Sequence, residues 1–430
     1  MRPNIVFITC HDLGRHLGCY GQRSVSSPAL DAIADRGLCF ERSFCTAPQC
    51  SPSRAALHTG RHAHANGMLG LAHAHFRWRM HADERHLAHD LRAAGYATAL
   101  FGIQHLCAPD EAAALGYDEL HGRQPAAALG QAAATWLTTR GRDARPFYLE
   151  VGFFEPHRRF DHGGVAPDER LGVEVPPYLP QTPAARADVA ALQGAITALD
   201  AGVGHIFAAL AAQGLLQNTW FIFVTDHGLA LPRAKCTLYD PGIETALLMH
   251  WPGAGLTGGR RIPQLVSHVD VVPTLLEALE LPVPRRLQGR SYWPLLQNRE
   301  YRARDAVFCE KTFHTAWEPM RGLRTDDHKL ILNLCQDIAI NVPGDIQLSP
   351  LYPEMLAEIS AHRPQVELYD LVADPLEQHN LAGQPQHAAR ERALLERLYH
   401  WMETTGDPLL QGPVVSPAMR DALGRLRGAG

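Results

Sequence analysis

The sequence has no excess of positive charge, no closely spaced cysteine pairs and no long apolar run, and each shortage narrows what the chain can be. Lysine and arginine number 40 against 45 aspartates and glutamates, a formal net charge of -5 at neutral pH. Neither nucleic acid nor an anionic membrane surface is therefore expected as a partner. The nine cysteines (10, 19, 39, 45, 50, 107, 236, 309 and 335) include no CxxC pair, and so odd and irregular a set does not read as a disulfide framework. No apolar run reaches the length of a membrane span. The N-terminal run Ile5-Val6-Phe7-Ile8 is too short for a signal-peptide core. The expected location is the cytoplasm, or the periplasm or exterior if a leader has been removed. Internal repeats and low-complexity segments are also missing. What is present, 46% hydrophobic and 20% charged residues over 430 positions, is the composition of a globular enzyme with one large domain and a smaller one.

The most informative stretch is Cys50-Ser51-Pro52-Ser53-Arg54. Ser51 suits an N-cap, Pro52 the first helical position, and Gly60 the residue after the last. The pattern predicts a short helix with Cys50 just before it, where free backbone N–H groups and the positive helix end favour an anion. A lone cysteine there would most simply be a buried structural thiol; its neighbours and distant partners argue otherwise.

Apolar runs and capping residues predict strands at 5–9, 38–44, 96–101, 147–153, 220–225 and 244–250. Between them lie helices at 28–36, 86–94, 183–212 (broken near 202–204) and 270–279, the last capped by Asp270. Such alternation implies an α/β fold, a large mostly parallel sheet sandwiched by helices, assigned to residues 1–300. Residues 301–430 read as a smaller C-terminal α+β subdomain that completes the substrate cleft. It holds a hairpin (322–324 with 329–334) around Asp326-Asp327, a strand at 368–371 and a closing helix at 388–402. In sheets of this kind sites form beyond the carboxyl ends of strands. His11-Asp12, Asp226-His227, His105 and His157 all fall there. Carboxylate oxygens mixed with imidazole nitrogens suit a divalent cation. Asp-His-Gly alone also makes ordinary turns; two such pairs at equivalent strand ends are a stronger sign.

The pentapeptide 50–54 resembles the motif of the sulfatases, formylglycine-dependent hydrolases of the alkaline phosphatase superfamily. Arg2-Pro3-Asn4-Ile5 with Leu17-Gly18-Cys19-Tyr20-Gly21 is similar to the family's N-terminus. The run from Ser267-His268-Val269-Asp270 to Leu276 resembles its late strand-helix unit. Leu368-Tyr369-Asp370-Leu371 through Asp374-Pro375-Leu376-Glu377 to Asn380-Leu381 resembles its C-terminal stretch. Within the family, Thr182-Pro183-Ala184-Ala185-Arg186-Ala187-Asp188, Glu155-Pro156-His157-Arg158 and the spacing from Asp226 to Lys235 and Leu238-Tyr239 are similar to the sulfamidase (heparan N-sulfatase) branch, which acts on a glycosaminoglycan.

The resemblance implies an alkaline-phosphatase-like fold and removal of sulfate from a sulfated sugar, as an ester or a sulfamate. It implies that a maturing enzyme converts Cys50 to formylglycine. The hydrated aldehyde then attacks sulfur with one hydroxyl and expels sulfate with the other, a step that an ordinary serine or cysteine lacks the second hydroxyl to perform. Asp12, Asp226 and His227 match metal ligands, with His11 at a further ligand position and the modified Cys50 completing the set. Arg54 would hold the formylglycine and neutralise charge; His105, His157 and Lys235 would contact the sulfate or protonate the leaving group.

Three departures from the family pattern stand out. His11 replaces the usual aspartate, and His227 stands where calcium-binding relatives carry asparagine. Both changes open the one divalent-metal site, calcium in the family, to manganese or zinc. Ile103, in Gly102-Ile103-Gln104-His105, replaces a sulfate-binding lysine; Arg61, His62, His64 and Gln104 are candidates to compensate. Two other readings fit the same residues: a phosphonate monoester or phosphodiester hydrolase of the superfamily, and a carbohydrate-binding pseudoenzyme. Natural substrate and oligomeric state are not legible, since the pocket depends on loops 158–178 and 336–364.

Overall fold

The structure is a computed structural model that describes residues 2–73, 75–140, 145–335, 341–426 and 428. Nine strands form the main sheet: β1 (Asn4–Cys10), β2 (Leu38–Phe44), β3 (Ala97–Gly102), β4 (Glu119–His121), β5 (Phe147–Gly152), β6 (Thr219–Thr225), β7 (Glu244–Thr245), β8 (Leu247–His250) and β9 (Arg260–Ser267). Their spatial order is β4-β3-β5-β1-β6-β8-β2-β7, with β9 beside β2. A second, antiparallel sheet runs β10 (Val307–Phe313), β11 (Trp317–Arg324), β12 (His328–Asn333), β13 (Val366–Asp370).

The left half of the main sheet, β4 to β6, is parallel throughout. The rest is mixed, because β8 runs antiparallel to both β6 and β2. The single strand predicted at 244–250 is split into β7 and β8, which pair with different neighbours.

The central strands are apolar on both faces, as a sheet covered by helices requires. Val6 and Ile8 of β1 with Phe221 and Phe223 of β6 face the helices Pro28–Arg36, Ala126–Arg140 and Pro183–Ala212. Ile5, Phe7, Trp220, Ile222 and Val224 face the opposite side, against the helices Cys50–Thr59, Leu87–Ala93 and Val271–Ala278. A third cluster, including Phe44, Leu238 and Leu265 with Cys309, Met320 and Ile331, joins the two sheets. Leu394, Leu398, Trp401 and Met402 of the closing helix Ala388–Thr405 cover the outer face of the small sheet.

The helix Pro183–Ala212 is continuous, not broken at its glycines. A Cβ on Gly202 would lie 2.5 Å from the Ala126 carbonyl, and one on Gly130 would lie 2.2 Å from that of Gly202. The glycines let two helices cross closely. By length and composition this helix is apolar enough to cross a membrane (mean hydropathy 1.6), a property that consecutive apolar runs do not reveal. Here Leu192, Ile196, Leu199, Val203 and Ile206 lie in the core beneath β1. Asp270 stands at the N-cap of the helix Val271–Ala278, as expected, but its carboxylate accepts the backbone N–H groups of Ser267 and Arg290 and pairs with Arg304 rather than bonding into that helix.

Candidate functional site

Parallel pairing of β1 with β6 puts Cys10 opposite Thr225, so His11-Asp12 and Asp226-His227 leave the sheet side by side. The backbone N–H groups of Asp12 and His227 both donate to Asp226 Oδ1, at 3.0 and 2.9 Å. Asp12 and His105 have positive φ (53° and 61°), a region that non-glycine residues rarely adopt and that recurs at functional sites.

His227 Nδ1 lies 3.1 Å from the Gly228 carbonyl, which can only accept, so the ring hydrogen sits there and Nε2 presents a lone pair. That lone pair faces Asp12 Oδ1 at 3.1 Å and the Cys50 sulfur at 3.5 Å. His11 Nδ1 is 3.3 Å from Asp226 Oδ2, so His11 leans on Asp226. All these side chains are buried, yet neither His11 nitrogen nor Asp12 Oδ1 has a hydrogen-bond partner. Opposed, unsatisfied lone pairs in a dry interior are costly unless a cation lies between them. Donor atoms of Asp12, Asp226 and His227, and of His11, Cys50 and Asp226, cluster within 4.8 Å. The residues fit a divalent cation.

The helix after this site differs in detail from its sequence signature. Gln49 is the N-cap and Cys50 the first helical residue; Gly60 closes the helix with φ 67°. Ser51 lies inside the helix and its hydroxyl accepts the Ala72 N–H at 3.0 Å. Burial pushes the Cys50 thiol well above its ordinary pKa, aided by Asp226 and Asp12 against the opposing pull of Lys235. Arg54 is wholly buried. Its Nε donates to Asp226 Oδ2 (3.2 Å), Nη1 to Thr9 Oγ1 (2.9 Å) and Nη2 to the Cys10 carbonyl (3.1 Å). It braces Asp226 across the ends of β1 and β6.

Lys235, a loop residue in the sequence, is buried and bridges Asp12 Oδ2 and Asp345 Oδ2 at 2.8 Å each. Burial works against its charge, but Asp12 and Asp345 outweigh it and hold the ammonium well above its ordinary pKa. His157 Nε2 lies 3.4 Å from Lys235 Nζ and 3.8 Å from Asp12 Oδ2. The His105 ring is 5.0 Å from that of His11 and 4.7 Å from that of His73. Burial, then Lys235, lowers the pKa of His157; burial, then His73 and Arg54, lowers that of His105 further. The structure thus gathers His11, Asp12, Cys50, Arg54, His105, His157, Asp226, His227 and Lys235 into one cluster.

It adds three that sequence reasoning missed. Asp345 and His314 arrive from the C-terminal part, and His73 from the segment after the Cys50 helix. No local pattern marks them, because each enters through a contact distant in sequence, Asp345 with Lys235 and His73 with His105. Of loop 336–364, residues 336–340 lie outside the described residues. The candidates to replace the family lysine at Ile103 are engaged elsewhere: Arg61 with Glu84, His62 with Trp401, His64 with Glu310, and Gln104 within its own loop. Another buried group, His58, His86 and Glu150, also brings ligand atoms together. There Glu150 Oε2 accepts the Tyr148 hydroxyl (2.6 Å) and His86 Nδ1 accepts the Ala88 N–H, while Glu150 Oε1, His86 Nε2 and both His58 nitrogens are buried without a hydrogen-bond partner.

Comparison with known proteins accords with this geometry. The family described as Sulfatase matches residues 3–281, and that described as N-sulphoglucosamine sulphohydrolase, C-terminal, matches residues 229–343. The chain is 31% identical to human N-sulphoglucosamine sulphohydrolase, over 96% of this chain and 92% of the relative. Two solved structures share the fold. One is a protein in complex with its substrate D-glucosamine-2-N,6-O-disulfate (18% identity, TM-score 0.72, 95% of this chain and 99% of the other). The other is the phosphonate monoester hydrolase of Agrobacterium radiobacter (21% identity, TM-score 0.72, 94% and 96%). With two acid-histidine pairs meeting a cysteine at the head of a buried helix, and a family match running from the first strand past the helix Val271–Ala278, this chain belongs to the sulfatases, enzymes that hydrolyse sulfate esters, and its family implies a formylglycine and a divalent metal.

Proposed function

We propose that this enzyme removes sulfate from the nitrogen of an N-sulfated glucosamine. The reading is supported by the identity to the human N-sulphoglucosamine sulphohydrolase along nearly the whole chain and by the C-terminal family match. The observation that carries the chemistry is the buried meeting of Cys50, Asp12, Asp226 and His227. In this reading a maturing enzyme first converts Cys50. When present, the formylglycine supplies a hydroxyl nucleophile and the cation offsets charge on the sulfuryl oxygens.

The chain's own residues do the rest. His11, Asp12, Asp226 and His227 hold the cation. Two imidazoles among four ligands weaken the preference for calcium and suit zinc, with manganese matched by the two carboxylates. Arg54 fixes the Asp226 carboxylate and adds positive charge behind it. Lys235, held charged by two carboxylates, faces the sulfate. His157 and His105, at the rim and less basic than usual, contact the sulfate, and the charged Lys235 ammonium beside His157 is the group with a proton for the leaving nitrogen. Asp345 and His314 carry the C-terminal part to the cleft, which the smaller subdomain completes.

Matured protein assayed with N-sulfoglucosamine, an O-sulfated sugar and a phenyl phosphonate ester is expected to prefer the first. A preference for the phosphonate would reassign the site to phosphonate or phosphodiester hydrolysis. Mass spectrometry of the Cys50 peptide, after co-expression with a maturing enzyme, is expected to show the aldehyde. A persistent thiol would favour a sugar-binding role without turnover.

A further inference from the structure

A cavity of about 210 Å³ lies where residues 232–239 meet two stretches of the C-terminal part, 341–346 and 358–369. It shares Lys235 with the strand-end cluster. Among the described residues that line it, however, are none of the four proposed metal ligands, nor Cys50, His105 or His157. The cavity is therefore a separate place from the site of reaction. Its walls are largely apolar, with Val342, Ile346, Ile359 and Pro364 beside the rings of Tyr239 and Tyr369.

The charged groups around it are mostly paired. Arg233 donates to the carbonyls of Leu376 (3.0 Å) and Glu377 (2.6 Å) and lies 3.2 Å from Glu358. Glu367 accepts the hydroxyls of Tyr239 and Tyr369 and the Asn333 amide. Arg363 differs. Its Nη1 donates to the Met320 sulfur at 3.1 Å and lies 3.7 Å from Glu318, but Nε and Nη2 are buried without a partner, on a side chain only 9% exposed. Those two atoms carry the parallel N–H bonds of the guanidinium, the edge that grips a carboxylate with two hydrogen bonds. Asn341, also on the wall, gives its Oδ1 to the Thr315 hydroxyl at 2.8 Å, and its Nδ2 is likewise buried without a partner. Three unsatisfied donor nitrogens around one cavity call for the oxygens of an anion. The apolar walls leave little to bond the further oxygens of a sulfate and suit a hydrocarbon body instead.

We infer that this cavity binds a small apolar monocarboxylic acid, its carboxylate held side-on by Arg363 with help from Asn341 and its hydrocarbon body against Ile346, Ile359 and Tyr369. The inference does not rest on the proposed reaction. Its test is calorimetric titration of the matured wild type, Cys50→Ala, Arg363→Gln and Arg363→Lys with benzoate, hexanoate, benzamide and inorganic sulfate. Benzoate or hexanoate is expected to bind the wild type and Cys50→Ala alike, and to bind Arg363→Gln at least about tenfold more weakly, the worth of a hydrogen bond to a charged group. Arg363→Lys keeps the charge without the fork and is expected to recover only part of that loss. Benzamide, the uncharged analogue, is expected to bind the wild type at least about tenfold more weakly than benzoate, a comparison that stands even where an Arg363 variant does not fold. Absence of binding by either acid, affinity indifferent to Arg363 or to the charge on the ligand, or loss of binding in Cys50→Ala would overturn the inference. So would Arg363-dependent binding of sulfate tighter than that of both acids.

Discussion

Two buried charged clusters in this molecule are built on opposite principles. At the junction of the sheets, Glu310, His64, Arg321 and Asp407 satisfy one another. His64 Nδ1 lies 3.0 Å from Glu310 and Nε2 lies 2.9 Å from Thr405 Oγ1; Arg321 forks onto both oxygens of Asp407. At the strand ends, His11, Asp12 and His227 point lone pairs at one another, and His11 Nδ1, His11 Nε2 and Asp12 Oδ1 are left unpaired. A closed polar network holds a structure together, whereas an open one in an equally dry place is built to receive something. The difference separates a hinge-pin from a binding site without reference to any relative.

The comparison can be broken at either cluster. Cys50→Ala is expected to remove sulfatase activity below detection while leaving the thermal transition within a few degrees, since a small side chain is lost. Retained activity would show that the strand-end cluster is not the site. Asp226→Asn is expected to lose activity by on the order of a thousandfold together with bound metal, because charge on a ligand is removed. Inactive protein with full metal content would show the cation to be held elsewhere.

Arg321→Ala acts on the closed cluster and should leave the Asp407 carboxylate buried and unpaired. About 3–5 kcal/mol of stability should disappear, seen by denaturant unfolding, with the metal retained in whatever folds. A neutral effect would mean that the network is not closed in solution.

The smallest effect concerns pH. Burial would raise the Glu310 pKa, but His64 and Arg321 outweigh it and hold the carboxyl down at about 2. A depressed carboxyl stabilises the fold above its unfolded pKa, and that stability is lost as the pH falls from there through about 2. Over this window the wild type should lose on the order of 3 kcal/mol more than Glu310→Gln. Parallel pH profiles for the two proteins would contradict that assignment.

The open cluster was legible in the sequence because its members follow apolar strands directly. His11-Asp12 and Asp226-His227 inherit their proximity from β1–β6 pairing, and Cys50 and Arg54 share one helix turn. The closed cluster was not legible, nor were Asp345, His73 and His314. Each depends on how the hairpin β10–β11 and the segment around Leu69 meet, which no local periodicity encodes. Strand β9 was missed for a local reason, since Pro263 interrupts its pattern; it is tolerated because, among the described residues, β9 pairs with β2 alone. The helix Ala126–Arg140 is mostly alanine and threonine and lacks a clear apolar stripe.

The account turns on a cation among Asp12, Asp226, His227 and His11. Anomalous X-ray diffraction from crystals of the matured, active protein, recorded on either side of the manganese and zinc absorption edges, tests it most directly. A single peak within bonding distance of those side chains, changing across one of the edges, is the predicted result. A fully active crystal with no peak there, or with its only peak at another place, would contradict it.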